Sequence, residues 1–275
     1  MGPLVIIGGR EEHDGQADCL REFVRLAGGD RARLVVLGTA SQDAATAARY
    51  RSLFHGWGVA HVSQLPVASR QEADEPTVAA RLADATGVFF TGGDQLRITS
   101  ILGGTRLENA LKEAWHGGAV VAGTSAGASM MTSTMILGGE DEDAPRRSTV
   151  HMSPGMGFLP GVVVDQHFAQ RGRIGRLLSA VAQNPQVLGV GLDEDTAMVV
   201  TGSSARIVGS GTATFVDGRF LLWTNISESA AQAPLALAGV HLHALPAPYG
   251  YDLAGRQPLE PDAEARRARE PAPVR

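Results

Sequence analysis

Short apolar runs rich in β-branched residues recur along the chain, and stretches with helical spacing separate them. The runs are Leu4–Ile7, Leu34–Leu37, Gly87–Phe90, Ala119–Ala122, Val162–Val164 and Val187–Leu192. In the intervening stretches, apolar residues recur three and four positions apart and most of these stretches end at glycine, which favours helices. Three such stretches are Ala17–Ala27, Ala44–Trp57 and Leu107–His116. The alternation predicts a parallel sheet with right-handed βαβ connections.

The pattern changes after Leu192 to alternating strands with glycine-rich turns, which predicts an antiparallel extension. The predicted strands there are Ala197–Val200, Ala205–Val208, Thr212–Val216 and Phe220–Trp223. With 275 residues, 44% of them hydrophobic, the chain can bury a large core. We expect an α/β fold with one domain over residues 1–255. Residues 256–275 are rich in proline, alanine and mixed charge and are predicted to form a disordered tail.

Charge and cysteine content limit the class of protein. A formal net charge of −5 argues against nucleic-acid binding, which needs a basic surface. The single cysteine, Cys19, allows no intrachain disulfide and suits a reducing compartment. Met1–Gly9 lacks the features of a signal peptide, and no apolar run reaches membrane-spanning length. We therefore expect a cytoplasmic protein with no membrane association.

The segment Gly123–Gly127 matches G-x-S-x-G and places Ser125 between two glycines. It follows the predicted strand Ala119–Ala122 and precedes a predicted helix, Ala128–Ser133, which is the context that a nucleophile turn requires. The N–H of Ala126 is then a candidate oxyanion donor. The alternative is an ordinary helix cap, which the flanking strand and helix make the weaker interpretation.

A serine nucleophile needs a base and a carboxylate that orients the base. His167 follows the run Gly161–Val164 and would lie past the carboxyl end of a strand, where open α/β sheets collect their sites. Asp193, Glu194 and Asp195 follow another predicted strand. Alternation points Glu194 away from the other two, so Glu194 is the favoured orienting acid, although all three stay open. A structural histidine and a solvated acidic turn are the alternatives.

Two further segments indicate a substrate pocket. Thr91–Gln95 follows the predicted strand Gly87–Phe90, and its paired glycines can bring N–H groups, that of Gly93 among them, close to a reacting carbonyl. Gln95 is a candidate polar contact. Asp165–Arg176 contains three arginines within six residues, a composition suited to carboxylate binding, with a solvated helix start as the alternative.

Four segments together resemble the cyanophycinase family: FTGGDQ (Phe90–Gln95), GTSAGA (Gly123–Ala128), DQHFAQRGRIGR (Asp165–Arg176) and GVGLDEDTA (Gly189–Ala197). The likeness runs in order from about Leu4 to Val200. It implies a flavodoxin-like three-layer sandwich related to class I glutamine amidotransferases, with serine in place of their cysteine. The expected activity is that of a serine-type exopeptidase. Its expected substrate is cyanophycin, multi-L-arginyl-poly-L-aspartate, which it would cut to β-Asp-Arg dipeptides.

The resemblance also implies roles for residues of this chain. Ser125 would be the nucleophile, His167 the base and Glu194 the orienting acid, with Gly93 and Ala126 as oxyanion donors. The substrate contacts would be Gln95, Asp165, Gln166, Arg171, Arg173 and Arg176. Each substrate unit carries an arginine carboxylate that suits the arginine cluster. The resemblance further suggests a homodimer.

Some features leave alternatives open. The segment Ile7–Glu12 departs from the usual family pattern, and the acidic run Glu140–Asp143 could receive a substrate guanidinium or be a solvated loop. No H-E-x-x-H motif or cysteine cluster is present, so we expect no metal or other cofactor. The alternative functions are an aspartyl or isoaspartyl dipeptidase of the same superfamily and a non-catalytic flavodoxin-like binding module, such as a nucleotide binder using Gly8 and Gly9.

Overall fold

A computed structural model describes residues 1–139 and 144–261, so Glu140–Asp143 lies outside the described residues. The strands have these bounds: β1 (Leu4–Ile7), β2 (Arg33–Leu37), β3 (His61–Leu65), β4 (Gly87–Phe90), β5 (Val120–Thr124), β6 (Thr134–Gly139), β7 (Val150–Pro154), β8 (Val162–Gln166), β9 (Leu188–Leu192), β10 (Thr196–Thr201), β11 (Ser204–Gly209), β12 (Thr212–Asp217), β13 (Trp223–Thr224), β14 (Leu237–Ala238), β15 (His241–Pro246), β16 (Gly250–Asp252) and β17 (Gln257–Leu259). The helices have these bounds: α1 (Asp18–Leu26), α2 (Ala44–Gly56), α3 (Arg70–Ala73), α4 (Pro76–Ala79), α5 (Gln95–Leu102), α6 (Arg106–His116), α7 (Ala126–Ser129) and α8 (Ile174–Gln183).

The larger sheet has the strand order β17-β16-β11-β10-β1-β5-β4-β2-β3. The strands from β3 to β1 pair in parallel. On the other side of β1, the strands from β10 to β17 pair antiparallel. The predicted α/β fold, with a parallel sheet and a C-terminal antiparallel extension, is therefore confirmed.

Burial on both faces explains why the parallel strands are continuous apolar runs. In β1, Leu4 and Ile6 belong to one hydrophobic core and Val5 and Ile7 to another. Side chains from α1 and α2 complete the second core, and side chains from α5 and α6 join the first. Because successive side chains of a strand point to opposite faces, each apolar run supplies both cores at once.

A second sheet has the order β15-β12-β9-β8, in which β8 and β9 are parallel. The prediction that Val162–Val164 and Val187–Leu192 belong to the same sheet as Leu4–Ile7 is therefore wrong. The second sheet packs on the antiparallel half of the first, and Phe215 stacks on Tyr251 across them at a centroid distance of 4.1 Å. An apolar run suits either sheet equally well, because it carries no record of which neighbour it pairs with.

The carboxyl ends of the parallel strands from both sheets meet at one edge of the molecule. Ile7 is in register with Thr124 at the ends of β1 and β5, and Gln166 with Leu192 at the ends of β8 and β9. The His167 N–H donates to the Gly8 carbonyl at 2.8 Å and joins the two sets of loops. The candidate site lies at this junction, where open α/β sheets bind ligands.

The predicted tail begins in an ordered strand. Gln257–Leu259 form β17, which pairs antiparallel with β16, whereas residues 262–275 lie outside the described residues. The boundary at residue 255 is thus too early, because main-chain pairing orders a strand that has little to bury. Disorder of the remaining tail stays a prediction. Among the helices of residues 1–139 and 144–261, none combines the length and the hydrophobicity of a membrane-spanning segment.

Candidate active site

Ser125 occupies a sharp turn between β5 and α7. Its backbone has φ 52° and ψ −109°, in a region that non-glycine residues rarely enter and that costs free energy. The Ser125 N–H donates to the Ile7 carbonyl at 3.0 Å, so strand β1 holds the turn. Ser125 directly precedes the helix, yet its hydroxyl makes no capping hydrogen bond. This geometry disfavours the helix-cap interpretation.

The two glycines of the motif are required by close packing. A Cβ on Gly123 would lie 2.3 Å from the Gly127 carbonyl oxygen, and a Cβ on Gly127 would lie 2.5 Å from the Phe90 carbonyl oxygen. Neither backbone atom can move away without breaking its strand or turn. The glycines therefore allow β4, β5 and the turn to approach closely enough to present the serine side chain at the sheet edge.

The helix after the turn is shorter than predicted. It begins at Ala126 and ends at Ser129, whereas the sequence predicts Ala128–Ser133. The Thr132 hydroxyl bonds to the carbonyls of Ser129 at 3.0 Å and Thr134 at 2.7 Å. These side-chain bonds replace backbone helix bonds, and the chain then enters β6.

Ser125, His167 and Glu194 form a continuous hydrogen-bonded series. The Ser125 Oγ lies 3.0 Å from the His167 Nε2, and the His167 Nδ1 lies 2.8 Å from the Glu194 Oε1. The imidazole ring is buried, with 9% of its side chain exposed, whereas the Glu194 side chain is 21% exposed. A hydroxyl, an imidazole and a carboxylate in this order form the arrangement that activates a serine for attack on a carbonyl.

The loop after β1 packs against the imidazole. A Cβ on Gly9, which has φ +102°, would lie 2.3 Å from the His167 Cε1, and a Cβ on Gly8 would lie 2.0 Å from the Asp193 carbonyl oxygen. The glycine pair is thus used for internal packing around the histidine. This placement argues against the nucleotide-binding alternative, since a phosphate cradle needs glycine backbone that faces a ligand.

The two acids beside Glu194 have other partners. The Asp193 carboxylate accepts from the N–H groups of Ala169 at 3.0 Å and Thr212 at 3.1 Å. The Asp195 carboxylate accepts from the Glu12 N–H at 2.9 Å and the Ser210 hydroxyl at 2.7 Å. The structure places Glu194 alone of the three against His167. Glu194 and Asp195 lie in a turn after β9, so the extended segment on which the alternation argument rested is absent there.

The environment of His167 favours the neutral imidazole. Burial lowers the pKa of His167 below its ordinary value of 6.5, and the positive charges of Arg171 and Arg173 lower it further. The hydrogen bond to Glu194 acts in the opposite direction but does not offset the lowering. A neutral imidazole near pH 7 can accept a proton from Ser125, as a general base must.

The predicted oxyanion donors lie around the same turn. The N–H groups of Gly92, Gly93 and Ala126 donate to no acceptor among the described residues. A Cβ on Gly92 would lie 3.5 Å from the Ser125 Cβ, whereas one on Gly93 would lie 2.3 Å from the Ala40 carbonyl oxygen. Gly92 is therefore the member of the predicted glycine pair that borders Ser125, and its N–H joins those of Gly93 and Ala126 as a candidate donor.

The two predicted glutamine contacts are buried. The Gln95 amide nitrogen donates to the carbonyls of Ile136 at 2.7 Å and Leu137 at 3.0 Å, and so anchors β6. The Gln166 side-chain oxygen accepts from the Ser129 hydroxyl at 2.7 Å. Within the described residues the Gln166 amide nitrogen has no partner, so Gln166 retains two donors for a ligand.

Asp165, Arg173 and Arg176 form a buried charged cluster beside β8. The Arg176 Nε lies 2.6 Å from Asp165 Oδ2, and the Arg173 Nη1 lies 2.7 Å from the Gln166 carbonyl and 3.5 Å from Asp165 Oδ1. All three residues are at most 5% exposed. Burial raises the pKa of Asp165, and the two guanidiniums oppose that rise. These contacts make the cluster a support for the strand end that precedes His167.

Arg171 is placed differently from the other two arginines. It is exposed, it makes no ion pair with a described residue, and its charge acts on His167. Of the three arginines that the sequence predicted as substrate contacts, it is the one whose guanidinium is accessible. The local backbone explains the split, because Arg171 ends a short 3₁₀ turn, Gly172 turns the chain with φ 57°, and Arg173 stands at the start of α8.

Glu11 is a site residue that the sequence did not reveal. Its buried carboxylate accepts from the hydroxyls of Thr124 and Tyr50. Burial alone raises the pKa of Glu11, but the nearby His13 and the hydrogen bonds from Thr124 and Tyr50 outweigh it and lower the pKa. Since Thr124 directly precedes Ser125, this carboxylate braces the serine turn. In sequence Glu11 stands in a charged tripeptide that is typical of an exposed loop, so no signal distinguished it.

Comparison with known proteins identifies the family of the chain. The model of peptidase family S51 matches residues 4–208. A cyanophycinase from Synechococcus elongatus is 39% identical over 247 residues, which cover 89% of this chain and 77% of the relative. A cyanophycinase from Geminocystis herdmanii is 37% identical over 259 residues, which cover 93% of this chain and 95% of the relative. The resemblance predicted from the four sequence segments is confirmed.

A solved structure supports the same fold. The crystal structure of a peptidase from an acI-B1 Actinobacterium superposes with a TM-score of 0.62 at 22% identity, over 90% of this chain and 97% of the other. That likeness concerns the fold, while the family model and the curated relatives concern the sequence over most of its length. The chain therefore belongs to peptidase family S51.

Proposed function

We propose that this peptidase is a serine-type exopeptidase that hydrolyses cyanophycin to β-Asp-Arg dipeptides. The proposal rests chiefly on one observation, the continuous series from the Ser125 hydroxyl through His167 to Glu194. The substrate is proposed from the curated relatives, which are cyanophycinases at 37–39% identity over most of the chain.

In the proposed mechanism, the Ser125 Oγ attacks a carbonyl carbon of the aspartate backbone while the His167 Nε2 takes the hydroxyl proton. Glu194 holds the imidazole in the tautomer with the proton on Nδ1 and stabilises the imidazolium. N–H groups of Ala126 and of the Gly92–Gly93 pair stabilise the oxyanion. His167 then delivers the proton to the leaving amine, and water hydrolyses the acyl-enzyme with the same histidine as base.

Substrate recognition is assigned first to Arg171 and Gln166. Arg171 offers an exposed guanidinium near His167, and a guanidinium binds a carboxylate through two parallel hydrogen bonds. The Gln166 amide nitrogen supplies further donors at the same strand end. The other predicted contacts are buried, and we propose that they position Arg171 and Gln166 rather than bind the substrate themselves. These residues are Asp165, Arg173, Arg176 and Gln95.

Incubation with insoluble cyanophycin, followed by mass spectrometry of the supernatant, tests the proposed function. We expect β-Asp-Arg dipeptide to accumulate as the main product. An aspartyl dipeptidase would instead leave the polymer intact and cleave short aspartyl peptides. A non-catalytic module would do neither and would not react with a fluorophosphonate at Ser125. Either result would replace the proposal.

The pH dependence of kcat/KM provides a second test. The base must be neutral, so kcat/KM falls as the pH falls through the pKa of His167 in the folded protein. Because burial lowers that pKa, the acidic midpoint is expected below 6.5. Arg171→Gln removes a charge that contributes to the lowering and should move the midpoint upward. The profile is measured with a soluble aspartyl-arginine peptide, and a midpoint above 6.5 in the unmodified protein would contradict the assigned base.

Assembly and compartment belong to the same proposal. Four exposed apolar side chains are candidates for an interface. Leu242 lies on β15, an edge strand of the second sheet, and Phe220 stacks on His241 of the same strand. Leu222 and Trp223 pair with Ala238 of β14. Exposed apolar surface of this kind mediates association, here proposed as homodimer formation, which sedimentation velocity tests. Cytoplasmic residence is proposed because the single cysteine, Cys19, is a buried free thiol and forms no intrachain disulfide, which suits a reducing compartment.

A further inference from the structure

A pocket of about 440 Å³ borders Ser125 on the side of the loop that follows β1. Arg10, His13, Tyr50 and Gly92 contribute to its lining together with the serine. Glu11 also lines the pocket, and its carboxylate is occupied by the hydroxyls of Thr124 and Tyr50. The proposed mechanism gives no role to Arg10 or His13. Both carry nitrogen donors that suit an anion, and they stand within the space that a substrate bound at Ser125 must enter.

The backbone on both sides of Arg10 is firmly held. The Gly9 carbonyl accepts from the Asp195 N–H at 2.9 Å, and the Glu12 N–H donates to Asp195 Oδ1 at 2.9 Å. Between them, the Glu11 carboxylate is tied to Thr124 and Tyr50. A long side chain on such a rigid backbone reaches a defined volume and loses less freedom when it binds a ligand.

The backbone of Arg10 itself is strained. Its φ of 44° lies in the left-handed region. The described parts of the chain contain six non-glycine residues with positive φ. Four of them lie at this site: Arg10, Ser125, His167 and Asp195. Such conformations cost free energy and persist where surrounding contacts impose them, and they cluster at functional sites. Arg10 is therefore part of the built site rather than of a loose surface loop.

The guanidinium of Arg10 is largely uncommitted. Its side chain is 77% exposed, and within the described residues its ion-pair partner is the Glu194 Oε1, 3.5 Å from Nε. The same oxygen already accepts from the His167 Nδ1 at 2.8 Å. An arginine has five N–H donors in a fork that matches a carboxylate. This single long contact leaves most of that fork available to a ligand in the pocket.

We propose that Arg10 is a specificity-determining residue that binds a carboxylate of the substrate in the pocket beside Ser125. The inference rests on the proposed function, because cyanophycin carries carboxylates of two kinds. One terminates the polyaspartate backbone, and the other belongs to each arginine side group. His13, whose Nε2 lies 3.9 Å from the Glu11 Oε1, has its pKa raised by that carboxylate, and its positive charge offsets the negative charge that Glu11 brings to the pocket.

Kinetics with three synthetic β-linked aspartyl-arginine peptides test this inference. One peptide has all its carboxylates free, one has the backbone terminus amidated, and one has the arginine carboxylates amidated. Arg10→Gln is expected to raise KM about tenfold for the free peptide, with a smaller change in kcat, because a charge-assisted fork is lost. Arg10→Lys should recover part of the affinity, since it keeps the charge but not the fork. Arg49→Gln is the matched control, because Arg49 is an exposed arginine of α2 that pairs with Asp43 at the start of the same helix.

The carboxylate that Arg10 binds is identified by the amidated peptide on which unmodified and Arg10→Gln proteins have the same KM. A purely structural role of Arg10 would instead raise KM equally for all three peptides, and that result would overturn the inference while leaving the proposed function intact. An unchanged KM in Arg10→Gln, or an equal rise in Arg49→Gln, would also overturn it. If the unmodified protein cleaves none of the peptides and does not degrade cyanophycin, the proposed function fails and the inference fails with it.

Discussion

Replacing Ser125 with alanine is expected to lower kcat by about 10⁴–10⁶-fold, with cyanophycin or a soluble aspartyl-arginine peptide as substrate. The substitution removes the only atom that can form the acyl-enzyme in the proposed mechanism, and without it His167 has no hydroxyl to deprotonate. Folding should be unaffected, because the Ser125 hydroxyl caps no helix and its structural contact, the N–H bond to Ile7, is made by the backbone. Rates of dipeptide release and thermal unfolding of both proteins measure these two expectations.

Ser133→Ala is the matched control for Ser125→Ala. Ser133 is an exposed serine a short distance along the chain, and its hydroxyl makes no hydrogen bond with a described residue. Its replacement should leave kcat within about twofold, as surface substitutions usually do. Retained turnover by Ser125→Ala would remove the serine from the nucleophile role. A large loss in both variants would indicate general damage to the turn instead.

Glu194→Gln is expected to reduce kcat by about 10²–10⁴-fold with a smaller effect on KM. The amide keeps the size of the side chain but can present its NH₂ to His167 and so favour the wrong tautomer, and it no longer stabilises the imidazolium. The lower end of the range is included because the Glu194 side chain is 21% exposed, and solvent moderates the loss of its charge. Single-turnover kinetics on a soluble peptide separate the chemical step from substrate binding.

The neighbouring acid provides the comparison. Asp195→Asn makes the same carboxylate-to-amide change one residue away, where the carboxylate contacts Glu12 and Ser210 but not His167. We expect Asp195→Asn to lower the stability of the protein and to leave kcat nearly unchanged. If Asp195→Asn lost as much kcat as Glu194→Gln, the assignment of a single orienting acid would have to be abandoned.

Local sequence patterns anticipated most of the framework. Leu4–Ile7 and Gly87–Phe90 coincide with β1 and β4, because a strand buried on both faces must be apolar at every position. β3 (His61–Leu65) was missed, since it is an edge strand with partly exposed polar positions and so lacks that signal. The assignment of strands to two sheets was also missed, because pairing is decided by contacts between residues far apart in sequence.

The candidate site divides in the same way. Ser125, His167 and the acidic segment at Glu194 could each be identified from a short motif at the end of an apolar run. The placement of the candidate substrate-contacting residues could not be predicted from sequence, because a local motif does not show whether an arginine faces solvent or a buried carboxylate. Arg171 is exposed whereas Arg176 is buried against Asp165, although both belong to the same motif.

The sequence by itself determined which reactive groups the site contains. It identified a serine flanked by glycines, a histidine and acids at strand ends, and the resemblance to a family. Only the tertiary structure decided which groups meet. Of the three neighbouring acids, Glu194 is the one that contacts His167. Asp165 and Arg176 are buried against each other. Arg10 and Glu11, from the loop after β1, lie beside the serine turn. The physical reason is that hydrogen bonds and ion pairs act over a few ångströms, and the residues they join here are separated by tens to more than a hundred positions along the chain.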